Sequence, residues 1–376
     1  MHTTIKMIGN QCIDPGEFYK YQSYYIQGFK ELTQVDFNVS PFHSKLCASL
    51  IDYKIKGAVK LWRFLNSITG KKQVNHRQHV GRYIFDLGSN RIKVAIDVAD
   101  GNPIRDRRTY NWSDIYFKAN KWESLDYPEK VFPLVNGNGT LTKTKLDQIK
   151  FFRNSEKKND LVFMTIIYNS TSEKLFYNNI EHHIRLFETL AKLDCKKYLK
   201  AIIPPKYPQK EMTKYLHRLD RAKVQWSNSW DGMSSLSFWN HLAEAQIVFL
   251  RPGKHACISW RMIDLLCMGA CIVYDGSPHP NWPVPLIAGQ NFVDCGCGLG
   301  IDESLPPIEQ YDRIRQVIEK MLTDPQKMKF IRRNNRNYFD NHASPLNVAT
   351  YILNTVKALN KGLQRSIALM PVGLTT

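Results

Sequence analysis

The sequence predicts an α/β fold in two domains, the second doubly wound about a parallel sheet. Three observations carry this. The chain has 376 residues, and domains of about 100–200 residues make two the natural count. Short apolar runs alternate with longer stretches of helical period, the pattern that layers helices on sheets. Two of these runs, Gln246–Leu250 and Ala270–Tyr274, are apolar almost throughout, as strands buried on both faces must be.

The elements follow in order. Ile5–Ile8 reads as an opening strand that stops at Gly9-Asn10, followed by a helix over Phe18–Leu32 and a strand at Val35–Val39. Strand-like runs recur at Arg91–Asp97, Asp114–Lys118 and Lys130–Val135. Asn136-Gly-Asn-Gly-Thr140 and the polar stretch beyond it break the pattern and mark a domain boundary. The second half is more regular. Leu161–Ile167 is an apolar strand, a helix runs through Ile180, Ile184, Phe187 and Leu190, and the next strand, Tyr198–Ile203, stops at Pro204-Pro205. A helix near Glu211–Leu219 leads to Lys223–Trp226, and Phe238–Ala245 is helical. Between the two buried strands lies a helix opened by Ser259 and closed by Gly269, residue types that suit an N-cap and a C-cap. Helices near Ile308–Leu322, Pro325–Tyr338 and Pro345–Leu359 complete the chain, and no internal repeat is present.

Composition narrows the function. With 52 Lys+Arg against 34 Asp+Glu, the formal charge is +18, which favours polyanionic partners: nucleic acid, an anionic membrane surface or phosphorylated molecules. The excess is concentrated where no acid occurs, from Tyr53 to Phe85, with Lys54, Lys56, Lys60, Arg63, Lys71, Lys72, Arg77 and Arg82. Apolar residues interleave with these cations, so the tract suits either a basic amphipathic surface for anionic lipid or acceptor, or a solvated face over the core. An aromatic content of 12% excludes a disordered chain. No apolar stretch approaches the roughly 20 residues of a membrane span. The start lacks the apolar core of a secretory signal, and eight cysteines are ordinary usage. The expectation is a cytoplasmic protein, with peripheral attachment to the inner face of a membrane as one use of the basic tract.

Ligands of open parallel sheets bind beyond the carboxyl ends of the strands. The informative place is Leu250-Arg-Pro-Gly-Lys-His-Ala-Cys-Ile-Ser-Trp-Arg-Met-Ile-Asp264, a buried strand, a basic glycine-containing loop and a helix start. Free N–H groups at the Ser259 helix start suit a phosphate. Arg251 and Lys254 add cations, and arginine grips phosphate oxygens through parallel bonds. Asp264 is placed to accept bonds from ribose hydroxyls. Together these fit a nucleotide diphosphate.

This stretch resembles the donor-binding segment of GT-B fold glycosyltransferases, especially the exostosin-like and family-1-like groups. The residues carrying the resemblance are Arg251-Pro-Gly253, Ser259-Trp-Arg261, Asp264 and Gly269-Ala-Cys-Ile-Val273, with an ending, Phe330 to Pro345, similar to the closing helices of such enzymes. The resemblance covers Leu161 to Leu359. It implies two Rossmann-like domains facing across a cleft: residues 1–140 for the acceptor, 141–345 for the nucleotide sugar, and a C-terminal helix, 346–376, crossing back to the N-terminal domain. It implies a donor site of Arg251, Gly253, Lys254, Ser259, Trp260, Arg261 and Asp264. One departure is clear. Many retaining members carry two glutamates eight residues apart, and the first of these positions is Ala256 here.

The expected function is transfer of a sugar from a nucleotide-diphosphate sugar to a glycan or lipid-linked glycan, as in polysaccharide or lipopolysaccharide biosynthesis. No Asp-x-Asp occurs, so no metal and no cofactor are expected, with cations handling the leaving diphosphate. A base for the acceptor hydroxyl is sought in the first domain among Asp97, Asp100 and Asp114, with His43 behind them, and Lys118 is a candidate to assist the departing phosphate. Each of these alone has a plain structural reading as well. His182-His183 lies on a helix with mixed faces and is assigned no metal. Cys295-Gly-Cys297 reads as a plain loop, and Trp226, Trp230, Trp239 and Trp282 as either core or base-stacking residues. Two alternatives remain: a GT-B enzyme that glucosylates DNA, and a non-catalytic nucleic-acid-binding protein.

Overall fold

The structure, a computed structural model, describes residues 3–8, 15–39, 79–88, 90–139, 142–167, 179–203, 209–228, 233–253, 256–276, 278, 280–296 and 305–360. The chain forms two compact units, Met1–Lys143 with His342–Thr376, and Thr144–Asn341. Among the described residues each unit holds one six-stranded sheet.

In the first unit the strands are β1 (Thr3–Ile8), β2 (Val35–Val39), β3 (Val80–Asp86), β4 (Arg91–Asp97), β5 (Ile115–Lys118) and β6 (Val131–Pro133), ordered β2-β1-β3-β4-β5-β6. The sheet is mixed, because β3 runs antiparallel to both β1 and β4 while the other pairs are parallel. The first unit is thus α/β about a mixed sheet, as the two-domain α/β expectation allows. The structure corrects the reading of the basic tract's end. Val80–Asp86 is a central strand whose Tyr83 and Phe85 are buried, and their spacing of two is a strand period that an apolar and basic composition had masked. Arg82 turns the other way, donating 2.9 Å to the Thr109 hydroxyl and lying over the Trp112 ring. Residues 54–78 of the tract, and His43, lie outside the described residues.

Helix α1 (Pro15–Glu31) buries Gln22, Tyr25, Ile26 and Phe29, the i, i+3, i+4, i+7 stripe of a core-facing helix. A short helix α2 (Arg107–Trp112), capped by Asp106, precedes β5. The last described helix of the chain, named α10 below, packs on α1. The contact is close because residue 28 is glycine: a Cβ there would overlap the Pro345 carbonyl and come within 2.8 Å of the Ala349 Cβ.

The second unit opens with α3 (Lys143–Phe151), then alternates β7 (Asn159–Ile166), α4 (Ile180–Ala191), β8 (Lys197–Ile202), α5 (Gln209–Arg221), β9 (Gln225–Ser227), α6 (Ser235–Ala243), β10 (Ala245–Leu250), α7 (Arg261–Met268), β11 (Ile272–Tyr274) and β12 (Val293–Asp294). Helices α8 (Ile308–Leu322) and α9 (Pro325–Tyr338) follow, and α10 (Pro345–Asn360) belongs to the first unit. The strand order is β12-β11-β10-β7-β8-β9 and every pairing is parallel. This is a doubly wound sheet. Helix α7 stops where expected, at Gly269 with φ 69°, the left-handed geometry that favours glycine. It starts at Arg261 with Trp260 as its cap, one residue later than a Ser259 N-cap predicts. Among the described residues no helix is long and apolar enough to cross a membrane.

Candidate functional site

The strand order of the second sheet reverses between β7 and β10: the chain winds outward from β7 through β8 and β9, and outward from β10 through β11 and β12. At such a point the connections leave in opposite directions and open a crevice beyond the carboxyl ends of the two central strands. Side chains from both sides of the reversal meet there.

Arg251 is the first residue past β10 and is 5% exposed. Its guanidinium donates to Nε2 of His183, in the first turn of the helix that follows β7. An arginine has only donors, so this nitrogen accepts and the ring proton sits on Nδ1, 2.8 Å from the Asn179 carbonyl. Burial first, and then the charge of Arg251, hold the His183 pKa well below its ordinary value. The ring is neutral, and it fixes the guanidinium without cancelling its charge.

The neighbouring His182 is built into a second buried chain. Its Nε2 lies 3.0 Å from Asp275 Oδ2 and its Nδ1 lies 2.8 Å from the Tyr311 hydroxyl. Asp275 is the first residue past β11, and its N–H donates 2.8 Å to the Leu250 carbonyl. Leu250 pairs with Tyr274, so Arg251 and Asp275 stand side by side in register at the same sheet edge. The chain then turns at Gly276, with φ 97°. Tyr311 comes from α8 and carries Arg185 over its ring, 5.9 Å from the centroid.

The rest of the predicted donor segment is placed as follows. Gly253 donates 2.8 Å to the Cys257 carbonyl, closing a tight loop in which a Cβ at 253 would come 2.7 Å from Cys257 Sγ. Ala256 sits in that loop at φ 54°, a left-handed geometry costing a non-glycine residue roughly 1–2 kcal/mol. Arg261 donates 2.6 Å to the Met164 carbonyl of β7 and lies 5.1 Å from the centre of the Phe238 ring. It therefore ties the α7 start to the other side of the reversal. The anion cradle expected at that start is filled from within: Arg261 N–H reaches Ser259 Oγ at 3.4 Å, Met262 N–H the Ser259 carbonyl at 2.8 Å and Ile263 N–H the Trp260 carbonyl at 3.2 Å. Trp260 is half-buried beside them. Asp264 is 3% exposed and accepts the Trp239 indole N–H at 3.1 Å, so it is engaged inside the unit. Lys254 lies outside the described residues, as do Trp230 and Cys297. Trp239 and Trp282 are buried core residues.

Of the first-unit candidates the structure brings Asp97 and Lys118 together and leaves Asp114 apart. Asp97 and Lys118 are both fully buried and form an ion pair at 3.1 Å. Asp97 also accepts from the Tyr116 hydroxyl at 2.8 Å and the Ala99 N–H at 2.9 Å, while Lys118 donates to the Gly101 carbonyl at 2.9 Å. Burial, then the adjacent carboxylate, hold the Tyr116 hydroxyl protonated far above its ordinary range. A carboxylate so saturated anchors the sheet; it is not placed to take a proton. Asp114 stands at the opposite edge. It precedes β5 and accepts the Lys93 N–H at 2.8 Å, whereas Asp97 pairs with Lys118 at the far end of the same strands, about 13 Å away at 3.3 Å per residue. Asp100 is half-buried in the turn after β4.

Sequence reasoning missed His182, His183, Asp275 and Tyr311 as parts of one site. The signal was present for Asp275: the rule that selects Arg251 after one buried strand selects Asp275 after the next. The histidines have their acid 93 residues away, beyond any local motif.

The second unit is thus doubly wound with Arg251 at its strand reversal, and the first is a separate α/β unit. Solved structures are similar to the chain. HepE of Anabaena, in complex with UDP-glucose, matches at 11% identity and a TM-score of 0.48, over 95% of this chain and 100% of that one. A glycosyltransferase of Rickettsia africae matches at 14% and 0.38, over 71% and 69%, and MurG of Acinetobacter baumannii at 13% and 0.37, over 70% and 66%. No protein-family model and no curated protein matches the chain.

Proposed function

We propose that the protein is a glycosyltransferase that moves a sugar from a nucleotide-diphosphate sugar to a glycan or lipid-linked glycan without a metal. The observation that carries this reading is Arg251, buried at the strand reversal and fixed by a neutral histidine. When the bond between the anomeric carbon and the donor phosphate oxygen breaks, the electron pair stays on the diphosphate. A guanidinium held in place beforehand stabilises that charge without reorganising, and more strongly away from bulk water. Gly253, Ser259, Trp260 and Arg261 shape the loop around it, and Lys254 supplies a second cation in this reading. Asp264 contributes through the Trp239 contact that orients α7. The acceptor hydroxyl must also lose a proton. With Asp97 and Lys118 committed to each other and Asp114 at the opposite sheet edge, we assign the base to Asp100. The +18 charge suits an acceptor presented at an anionic membrane surface.

A thermal-shift screen against UDP-, GDP-, CMP- and ADP-sugars tests the donor assignment. A ligand at 100 times its Kd adds about 2.7 kcal/mol, and no shift with any of the four classes sinks the reading. Metal independence is tested separately. Turnover is expected to persist in excess EDTA; complete loss, restored by Mn²⁺ or Mg²⁺, rejects a leaving group handled by the protein's own cations.

A further inference from the structure

The Asp275 side chain is fully buried, yet only half of it is used. His182 occupies Oδ2, and Oδ1 has no hydrogen-bond partner among the described residues. A buried carboxylate oxygen without a donor is a rare and unfavourable arrangement, and each instance calls for a missing partner. The rest of the group is arranged as though to hold that oxygen still. The Asp275 N–H is tied to Leu250, His182 fixes the other oxygen, and Tyr311, from a different helix, fixes His182. Oδ1, as a carboxylate oxygen, is a pure acceptor.

We propose that Asp275 Oδ1 accepts a hydrogen bond from a hydroxyl of the bound sugar nucleotide, and that His182 and Tyr311 position it. The location supports a ligand as the missing partner. Asp275 is next to Arg251 in strand register, at the carboxyl edge of the sheet. A phosphate cannot be that partner, since an ionised phosphate brings no proton to a carboxylate and repels it. A hydroxyl can, and a sugar nucleotide carries hydroxyls on its ribose and on its transferred sugar, a few bonds either side of the diphosphate. The inference rests on the donor reading above and adds to it a discriminating contact: a site built to receive a hydroxyl rejects analogues that lack it.

Calorimetric titration separates the two claims. The probes are UDP-glucose, GDP-mannose, UDP, 2′-deoxy-UDP and inorganic pyrophosphate, each titrated into wild type, Asp275→Ala, Asp275→Asn and Tyr311→Phe. Wild type is expected to bind one of the sugar nucleotides. If it binds neither these nor UDP, the donor reading fails and this inference with it. Given wild-type binding, Asp275→Ala is expected to weaken the sugar nucleotide at least tenfold and to leave pyrophosphate, which has no carbon-bound hydroxyl, unchanged or tighter. Tyr311→Phe keeps the carboxylate and loses only its support, so a smaller loss, about two- to fivefold, is expected for the same probe. If Asp275→Ala unfolds, Asp275→Asn and Tyr311→Phe carry the test with the same selectivity. The deoxy probe then locates the hydroxyl. A wild-type preference for UDP over 2′-deoxy-UDP that vanishes in Asp275→Ala points to the ribose; a preference that survives while UDP-glucose weakens points to the transferred sugar. Unchanged sugar-nucleotide affinity in the Asp275 variants, or an equal loss for pyrophosphate, overturns the proposal and makes Asp275 a structural residue whose open oxygen meets only water.

Discussion

Both edges of the second sheet carry arginines, and they bond them differently. At the amino edge Arg153 donates 2.7 Å to the Cys267 carbonyl and grips both oxygens of Asp340 at 2.7 Å. Arg336 reaches the Arg153 carbonyl, Arg332 reaches the Gln246 carbonyl at 2.8 Å, and Lys157 the Ala243 carbonyl at 2.5 Å. Ala243 and Cys267 belong to the last turns of α6 and α7. Helices of a doubly wound sheet end at this edge, and their last carbonyls leave partial negative charge that cations satisfy. At the carboxyl edge helices begin, and there Arg251 donates to Nε2 of His183, a neutral ring nitrogen. The number of cations therefore says little about function. What each cation is bonded to differs between the edges: backbone carbonyls and a carboxylate at one, a neutral imidazole at the other.

This contrast breaks first at Arg251. Arg251→Ala removes charge-assisted bonds worth roughly 1.5–3 kcal/mol each, so sugar-nucleotide affinity is expected to fall about 30- to 100-fold while the melting temperature moves little. Equal nucleotide affinity in variant and wild type would show that the carboxyl-edge cation is only another structural one.

The converse substitution, Arg153→Ala, leaves the Cys267 carbonyl and Asp340 without their partner. Its expected cost is about 2 kcal/mol of unfolding free energy, with sugar-nucleotide affinity unchanged. Denaturant unfolding together with calorimetry measures both. A stable variant that has lost affinity would invert the assignment of the two edges.

Much of the second unit was legible in the sequence because its signals are local. The apolar runs ending at Leu250 and Tyr274, and the glycine at 269, are properties of a few adjacent residues. So were Arg251 and its loop. The first unit was less legible. Its central strand, Val80–Asp86, alternates Tyr83 and Phe85 with Arg82 and Ile84 directly after a long basic run, and it joins the sheet antiparallel through pairings with residues as far away as Thr4. The assignments that shifted depend on contacts made across the chain. Asp97 stands among the base candidates by sequence, yet Lys118, 21 residues on, takes its charge. The His182–Asp275–Tyr311 chain joins three elements spread over 129 residues, and no spacing rule reaches that far.

The smallest expected effect sharpens the comparison at its amino edge, where Lys157 is a cap held at some cost. Burial, reinforced by the charges of Arg332 and Arg336, lowers its pKa from 10.5 to about 8. Below pH 8 the folded and unfolded chains both carry the proton, and the fold bears the full penalty of that charge. Between pH 8 and 10.5 the folded chain has released the proton while the unfolded chain still holds it, so this residue's contribution to stability rises with pH. Above 10.5 the penalty is gone. Lys157→Met is accordingly expected to unfold at higher denaturant than wild type at pH 7. Its advantage is on the order of 1 kcal/mol, because the lost bond to the Ala243 carbonyl offsets part of the relief. At pH 9.5 the advantage should shrink, since wild type has by then shed most of the charge; taking the difference between the two proteins at each pH cancels the lysines and tyrosines they share. A gap that stays constant between pH 7 and 9.5 would mean that Lys157 is not strained by its charge, and that the amino edge accommodates its cations more easily than the burial of this one implies.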